Sequence, residues 1–124
     1  MREPIMTDKI ADPVAPFSVG IRRDGFIFLS GQVGQDPATG ALIDGDAAAQ
    51  TEQIFKNLAS VLEAAGKTLD DVVRVGVYLT DMNDFAVMNS VYGKSFAQPY
   101  PARTAIGVAA LPLGAAVEID AIVG

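Results

Sequence analysis

The chain has 124 residues, half of them hydrophobic and 19% charged, which suits one domain with a real core and argues against disorder. Its formal net charge of −6 argues against a nucleic-acid partner, because neutralising phosphates needs clustered Lys and Arg. With no cysteine and no histidine, disulfides, thiol nucleophiles, Ser-His-Asp chemistry and the commonest metal ligand are all excluded.

Taken in order, Met1 to Val14 reads as a loose lead-in, since Pro4, Pro13 and Pro16 interrupt any element. Arg2, Glu3, Asp8 and Lys9 leave no apolar run for a signal peptide, and nothing downstream reaches a membrane-spanning length, so a cytoplasmic protein is expected. Phe17 to Arg22 is predicted as a strand that turns at Asp24-Gly25, and Phe26 to Ser30 as its return, ending at Gly31. Asp36 to Gly40 and Asp44-Gly45 are turn chemistry. Ala47 to Ala65 is the clearest helix: Thr51, Ile54, Phe55, Leu58, Val61, Leu62 and Ala65 form one stripe, and Gly66 stops it.

Val72 to Thr80 is predicted as a strand with Val73, Val75, Val77 and Leu79 on the apolar face. A second helix follows, capped by Asp81 or Asn83 and running to about Phe96, with Phe85, Met88, Tyr92 and Phe96 buried. Thr104 to Ala110 and Ala115 to Val123 read as two closing strands around Pro112-Leu113-Gly114. The order predicts a single α+β domain over residues 1–124, two helices on one face of a mixed sheet, with a bare face suited to self-assembly.

Two charges stand out in the closing segment. Arg103 leaves a stiff Pro99-Tyr100-Pro101 approach and shares its strand face with Ala105, Gly107 and Ala109, a surface that admits a close ligand or backbone. Glu118 shares its face with Ala116, Asp120 and Ile122, opposite the apolar Val117, Ile119, Ala121 and Val123. If the two strands paired directly, Arg103 would be offset from Glu118 by four residues, roughly 13 Å, too far for a salt bridge. Each charge is therefore expected to answer to a ligand, a bulge at Gly107 or a neighbouring chain.

Several segments resemble the Rid family, the YjgF-like reactive intermediate deaminases: Ser30-Gly31-Gln32, Asp36 to Gly40, Leu79 to Phe85, Asn89 with Tyr92, Pro99 to Thr104, Val108 to Pro112 and Val117-Glu118-Ile119. The resemblance covers nearly the whole chain from about Val14. It implies a chorismate-mutase-like α+β fold and a homotrimer with sites between subunits. The implied activity is hydrolysis of enamines and imines, such as 2-aminoacrylate, to 2-keto acids and ammonia, with no metal or organic cofactor and no membrane or nucleic-acid partner. Such intermediates are released by pyridoxal-phosphate dehydratases, which gives a functional link to those enzymes.

On that resemblance Arg103 grips the substrate carboxylate, a task suited to its planar fork, and Glu118 orients or deprotonates the attacking water. Gly31 lines the cleft with its backbone, Asn89 borders it from the second helix, and Ser30 is a possible hydrogen-bonding neighbour. In two places the chain departs from the family pattern. Phe17 stands where a tyrosine is usual, losing a hydroxyl worth about 1 kcal/mol per hydrogen bond, and Ala105 stands where a cysteine is frequent. The first departure favours a lower rate or a less polar substrate than the smallest imines; the second is expected to matter little, its role being supplied by backbone. The alternatives are a non-catalytic keto-acid or amino-acid sensor, a chaperone-like trimer, a deaminase for a bulkier imine, and a ribonuclease, which the acidic charge and missing histidine disfavour.

Overall fold

The alternating apolar segments build a six-stranded sheet in the computed structural model, which describes residues 1–124. The strands are β1 (Glu3–Pro4), β2 (Gly20–Arg23), β3 (Phe26–Gln32), β4 (Val72–Leu79), β5 (Ala102–Gly107) and β6 (Val117–Val123), with α1 (Ala47–Ala64) and α2 (Phe85–Ser95) between them. Their order across the sheet is β1-β2-β3-β6-β4-β5. Only the edge pair β4–β5 is parallel, so the sheet is mixed as expected.

The helices form for identifiable reasons. Asp46 caps α1 by accepting the Ala49 N–H at 3.0 Å, and Gly66 takes the left-handed conformation (φ +74°) that closes it. The whole predicted stripe from Thr51 to Ala65 is buried. Two further α1 residues, Gln50 and Asn57, are buried and polar, and each ties a loop to the helix: Gln50 accepts the Ala116 N–H, and Asn57 donates to the Gln35 carbonyl. Asp81 accepts from Asn83 N–H at 2.9 Å and starts a short helical turn, Met82–Asp84, that leads into α2. Tyr92 of α2 and Phe96, just past its end, then pack edge-on against Phe55 of α1 at centroid distances of 5.9 and 5.5 Å.

Both helices cover one face of the sheet, where Ile27, Val75, Val77, Leu79, Val117, Ile119 and Val123 are at most 1% exposed. Each such side chain contributes about 1.5–3 kcal/mol of burial. The opposite face is bare. It carries Phe26, Phe28, Ile106 and Ile122 beside Arg74, Tyr78, Glu118 and Asp120, and Phe26, Phe28 and Ile106 stand 45–48% exposed.

Three expectations are corrected. The lead-in is not loose: β1 pairs with β2, and Ile5 and Ile10 are only 5% and 6% exposed within the core. Proline interruption hid this, because a two-residue strand needs no run of its own. Val73 is not on the apolar face. A bulge between Val72 and Arg74 adds one residue to β4 and turns Val73 outward, 47% exposed, while Val72 takes the buried place. Finally, β5 and β6 do not pair; β4 lies between them, hydrogen-bonded to both. Strand ends also differ, β2 beginning at Gly20 rather than Phe17 and β5 spanning Ala102–Gly107. Deleting residues 1–10 is expected to lower stability by about 3 kcal/mol or more, the burial of two isoleucines. A urea midpoint that does not move would show the segment to be dispensable.

Candidate functional site

The predicted site residues fall into two groups, on opposite faces of the sheet. Registers settle the matter. Glu118 pairs with Tyr78, which faces the bare side, whereas Arg103 pairs with Val75, which is buried beneath the helices. Paired residues share a face, so Arg103 projects to the helix side and Glu118 away from it. Within one chain the two charges cannot hold one small ligand.

The Glu118 group is built on a second bulge. Between Leu29 and Gln32, two residues of β3, Ser30 and Gly31, oppose the single Asp120 of β6. This brings Gly31 beneath the Glu118 side chain: a Cβ on Gly31 would lie 2.9 Å from both the carboxylate carbon and Oε2. Only glycine lets the carboxylate lie there. Ser30 donates its hydroxyl to the Ser18 carbonyl at 2.6 Å, so its proton is committed to bracing the segment before β2. Phe17, Ser30, Gly31 and Glu118 line one cleft of about 470 Å³. Burial raises the Glu118 pKa, and the neighbouring Asp120 charge raises it further. Asp120 itself accepts a 3.0 Å hydrogen bond from the Tyr78 hydroxyl. Gly76 beside them leaves the room that this pair occupies, since a Cβ there would sit 2.8 Å from that hydroxyl.

The Arg103 group lies on edge strand β5. One guanidinium nitrogen, Nη1, donates to Asn89 Oδ1 at 2.6 Å, and the guanidinium carbon stands 4.7 Å from the Tyr92 ring centroid and 5.6 Å from that of Phe85. Asn89, Tyr92 and Arg103 line a cleft of about 380 Å³ together with Tyr100 and Pro101. Two rings and one amide thus orient a planar cation whose other donors are left for a planar anion. Ala105, two residues on, packs partly buried against the core on the same face. The Tyr92 hydroxyl is buried without a partner, and burial raises its pKa, opposed by the Arg103 charge.

Helical spacing assigns Phe85 and Tyr92 to the core alone. Their second role depends on β5 arriving beside α2, which no local pattern reveals. The strand pattern likewise ends at Gly31, whereas β3 continues through a bulge there to Gln32; a glycine inside a strand pattern is the available sign of it.

Comparison with known proteins covers the chain almost entirely. A family model described as Endoribonuclease L-PSP matches residues 7–124. A RutC family protein of Pyrococcus horikoshii is 46% identical over 98% of this chain and 97% of its own. The 2-iminobutanoate/2-iminopropanoate deaminase of Mus musculus is 43% identical over 98% of this chain and 90% of its own. The crystal structure of RidA from an Antarctic Psychrobacter is 46% identical, with a TM-score of 0.94 over 98% of each chain.

Proposed function

The chain belongs to the endoribonuclease L-PSP family, the YjgF-like or Rid proteins, and from that membership and its two half-sites we propose that it hydrolyses 2-imino acids to 2-keto acids and ammonia in clefts between subunits of a homotrimer. The observation that carries this reading is the placement of Arg103 and Glu118 on opposite faces of one sheet. A second copy that brings its Arg103 edge to the Glu118 cleft completes a site that neither face holds alone.

The chemistry then follows. The Arg103 guanidinium, held flat by Asn89 and the Tyr92 ring, takes the substrate carboxylate in a two-point grip. Water adds to the carbon of the protonated imine and gives up one proton to Glu118, forming a carbinolamine. Glu118 returns that proton to the nitrogen, and as the C–N bond breaks it takes the proton of the carbinolamine hydroxyl, leaving the C=O of the keto acid; ammonia departs and carries that last proton away as ammonium. A carboxylate whose pKa burial has raised suits these transfers. The substrates are the enamines and imines that pyridoxal-phosphate dehydratases release from serine or threonine, and the compartment is the cytoplasm. RNA cleavage fits less well: the net charge is −6, histidine is absent, and Arg22 of the one adjacent basic pair is engaged with the Ala65 carbonyl at 2.9 Å.

The test is complementation between subunits. Chains carrying Arg103→Ala and chains carrying Glu118→Gln, each strongly slowed alone, are unfolded together and reassembled. In a 1:1 mixture each mixed trimer regains both residues at one of its sites, roughly a quarter of all sites in the mixture, and activity returns to that extent. Activity absent from the mixture, with mixed trimers demonstrated, would place both residues in one subunit's site and overturn the reading.

A further inference from the structure

Glu118 and Asp120 stand two residues apart on one face of β6, and a glycine on each flanking strand makes room for them. Glu118 lies across Gly31 of β3. Asp120 lies across Gly76 of β4, where a Cβ would strike its Oδ1 and come within 2.8 Å of the Tyr78 hydroxyl. The two carboxylates therefore lean apart, one over each neighbour of β6. Their Cα atoms are only about 7 Å apart along the strand, so side chains that leaned together could share a proton.

Tyr78 fixes which way Asp120 leans. Its direct partner across the ladder is Glu118, yet its hydroxyl passes that residue and donates to Oδ2 of Asp120, the diagonal neighbour, at 3.0 Å. A phenol has one proton to give. Given to Asp120, it leaves Glu118 with no hydrogen bond or ion pair from its own chain. That bond raises the Tyr78 pKa above its ordinary value, so the donor keeps its proton through neutral pH. The other groups nearby do not compete. Arg74 of β4 turns toward β5, donating to Thr104 Oγ1 at 3.0 Å and to the Val75 carbonyl at 3.2 Å, and pairs with neither carboxylate. Ser30 of β3 is bound to the Ser18 carbonyl. Asp12, in the lead-in, is the one other titratable group lining the Glu118 cleft, and it leaves the Glu118 pKa to burial and Asp120.

Resting on the deaminase reading above, we propose that Tyr78 is a positioning residue of the reaction: by tethering Asp120 over Gly76 it keeps the second carboxylate from sharing the proton of Glu118, which acts as a lone, unpaired base. Asp120 then bears on Glu118 as a fixed charge at a distance and takes no part in the transfers.

Two readouts follow Glu118 directly. One is the acid limb of kcat on an imine generated in situ by an excess of L-amino-acid oxidase. The other is a carbon NMR titration of the Glu118 side-chain carboxyl, assigned against Glu118→Gln, which needs no substrate. Tyr78→Phe keeps the ring and removes the tether. Both midpoints should move up, because two carboxyl groups that share a proton hold it more tightly than one. KM, which rests on the Arg103 grip, should stay at the wild-type value. Asp120→Asn should move both midpoints down. Tyr78→Phe combined with Asp120→Asn should match Asp120→Asn alone, since no second carboxylate is left to restrain. If Tyr78 only packs, Tyr78→Phe changes the thermal midpoint and leaves both titrations where they are. Midpoints in Tyr78→Phe that coincide with wild type or fall below it overturn this inference and leave the deaminase reading standing, and so does a Tyr78→Phe effect that persists in the double variant. A wild-type protein inactive on every imine overturns the deaminase reading, and the role of Tyr78 in it, whatever the titration shows.

Discussion

Arg103→Ala is expected to lower kcat/KM for any 2-imino acid by roughly 30- to 4,000-fold while leaving a folded protein. Losing one partner of a hydrogen-bonded charge pair in a desolvated cleft costs about 2–5 kcal/mol, which at 1.4 kcal/mol per decade sets that scale. The fold has little to lose. Arg103 is exposed on an edge strand, its backbone pairing with Val75 does not involve the side chain, and no ion pair within the chain depends on it. What disappears besides substrate binding is one hydrogen bond to Asn89 and the stacking on Tyr92 and Phe85, about 1–2 kcal/mol at a partly exposed site. Arg103→Lys sharpens the test. Lysine keeps the charge but has no fork to share between Asn89 and a carboxylate, so its activity should fall between wild type and alanine, nearer alanine. Steady-state assays beside thermal melts check both variants, and a wild-type rate in Arg103→Ala would end the carboxylate-grip assignment.

The parts of the fold legible in the sequence are those where one period coincides with one buried face. The α1 stripe and the alternation from Val117 to Val123 are of this kind, and every residue assigned to their apolar faces is buried. Period-two reasoning fails where a residue is inserted. The bulge at Val73 and the bulge at Ser30-Gly31 each shift a strand by one position, and neither insertion alters composition. Topology fails for a different reason: β4 precedes β5 and β6 in the chain yet lies between them, a non-local choice that no turn signal encodes.

The same division runs through the site. Arg103 and Glu118 announce themselves because each is a charge in an otherwise small or apolar stretch. That they face opposite ways could not be read, since it follows from which partner strand sets the register.

Glu118→Gln is expected to slow turnover by a factor of about 10²–10⁴, the usual worth of a positioned acid–base group, and at the same time to make the protein more stable at neutral pH. The second effect follows from the sign of the pKa shift. Burial and the nearby Asp120 raise the folded-state pKa of Glu118 above its ordinary value, so the native chain binds a proton more tightly than the unfolded one. Relative stability from this group is therefore fully present below the unfolded pKa and is lost as pH rises through the folded pKa. At neutral pH the wild-type protein carries the whole cost of an unpaired carboxylate lying over Gly31. Glutamine keeps the shape and removes the charge. Its stabilising effect should shrink toward zero as pH falls below the unfolded value, where Glu118 is itself neutral. The rate profile should move the opposite way. Water activation needs the ionised form, so the acid limb of kcat in the wild type should lie above the ordinary carboxylate range and vanish in the variant. Asp120→Asn, which removes the lesser of the two causes of the shift, should move that limb downward without abolishing turnover. Denaturation midpoints taken across pH beside rate profiles decide the matter. A Glu118→Gln protein that is less stable than wild type at neutral pH, or equally active, would show the carboxylate to be a structural partner whose contacts the fold requires.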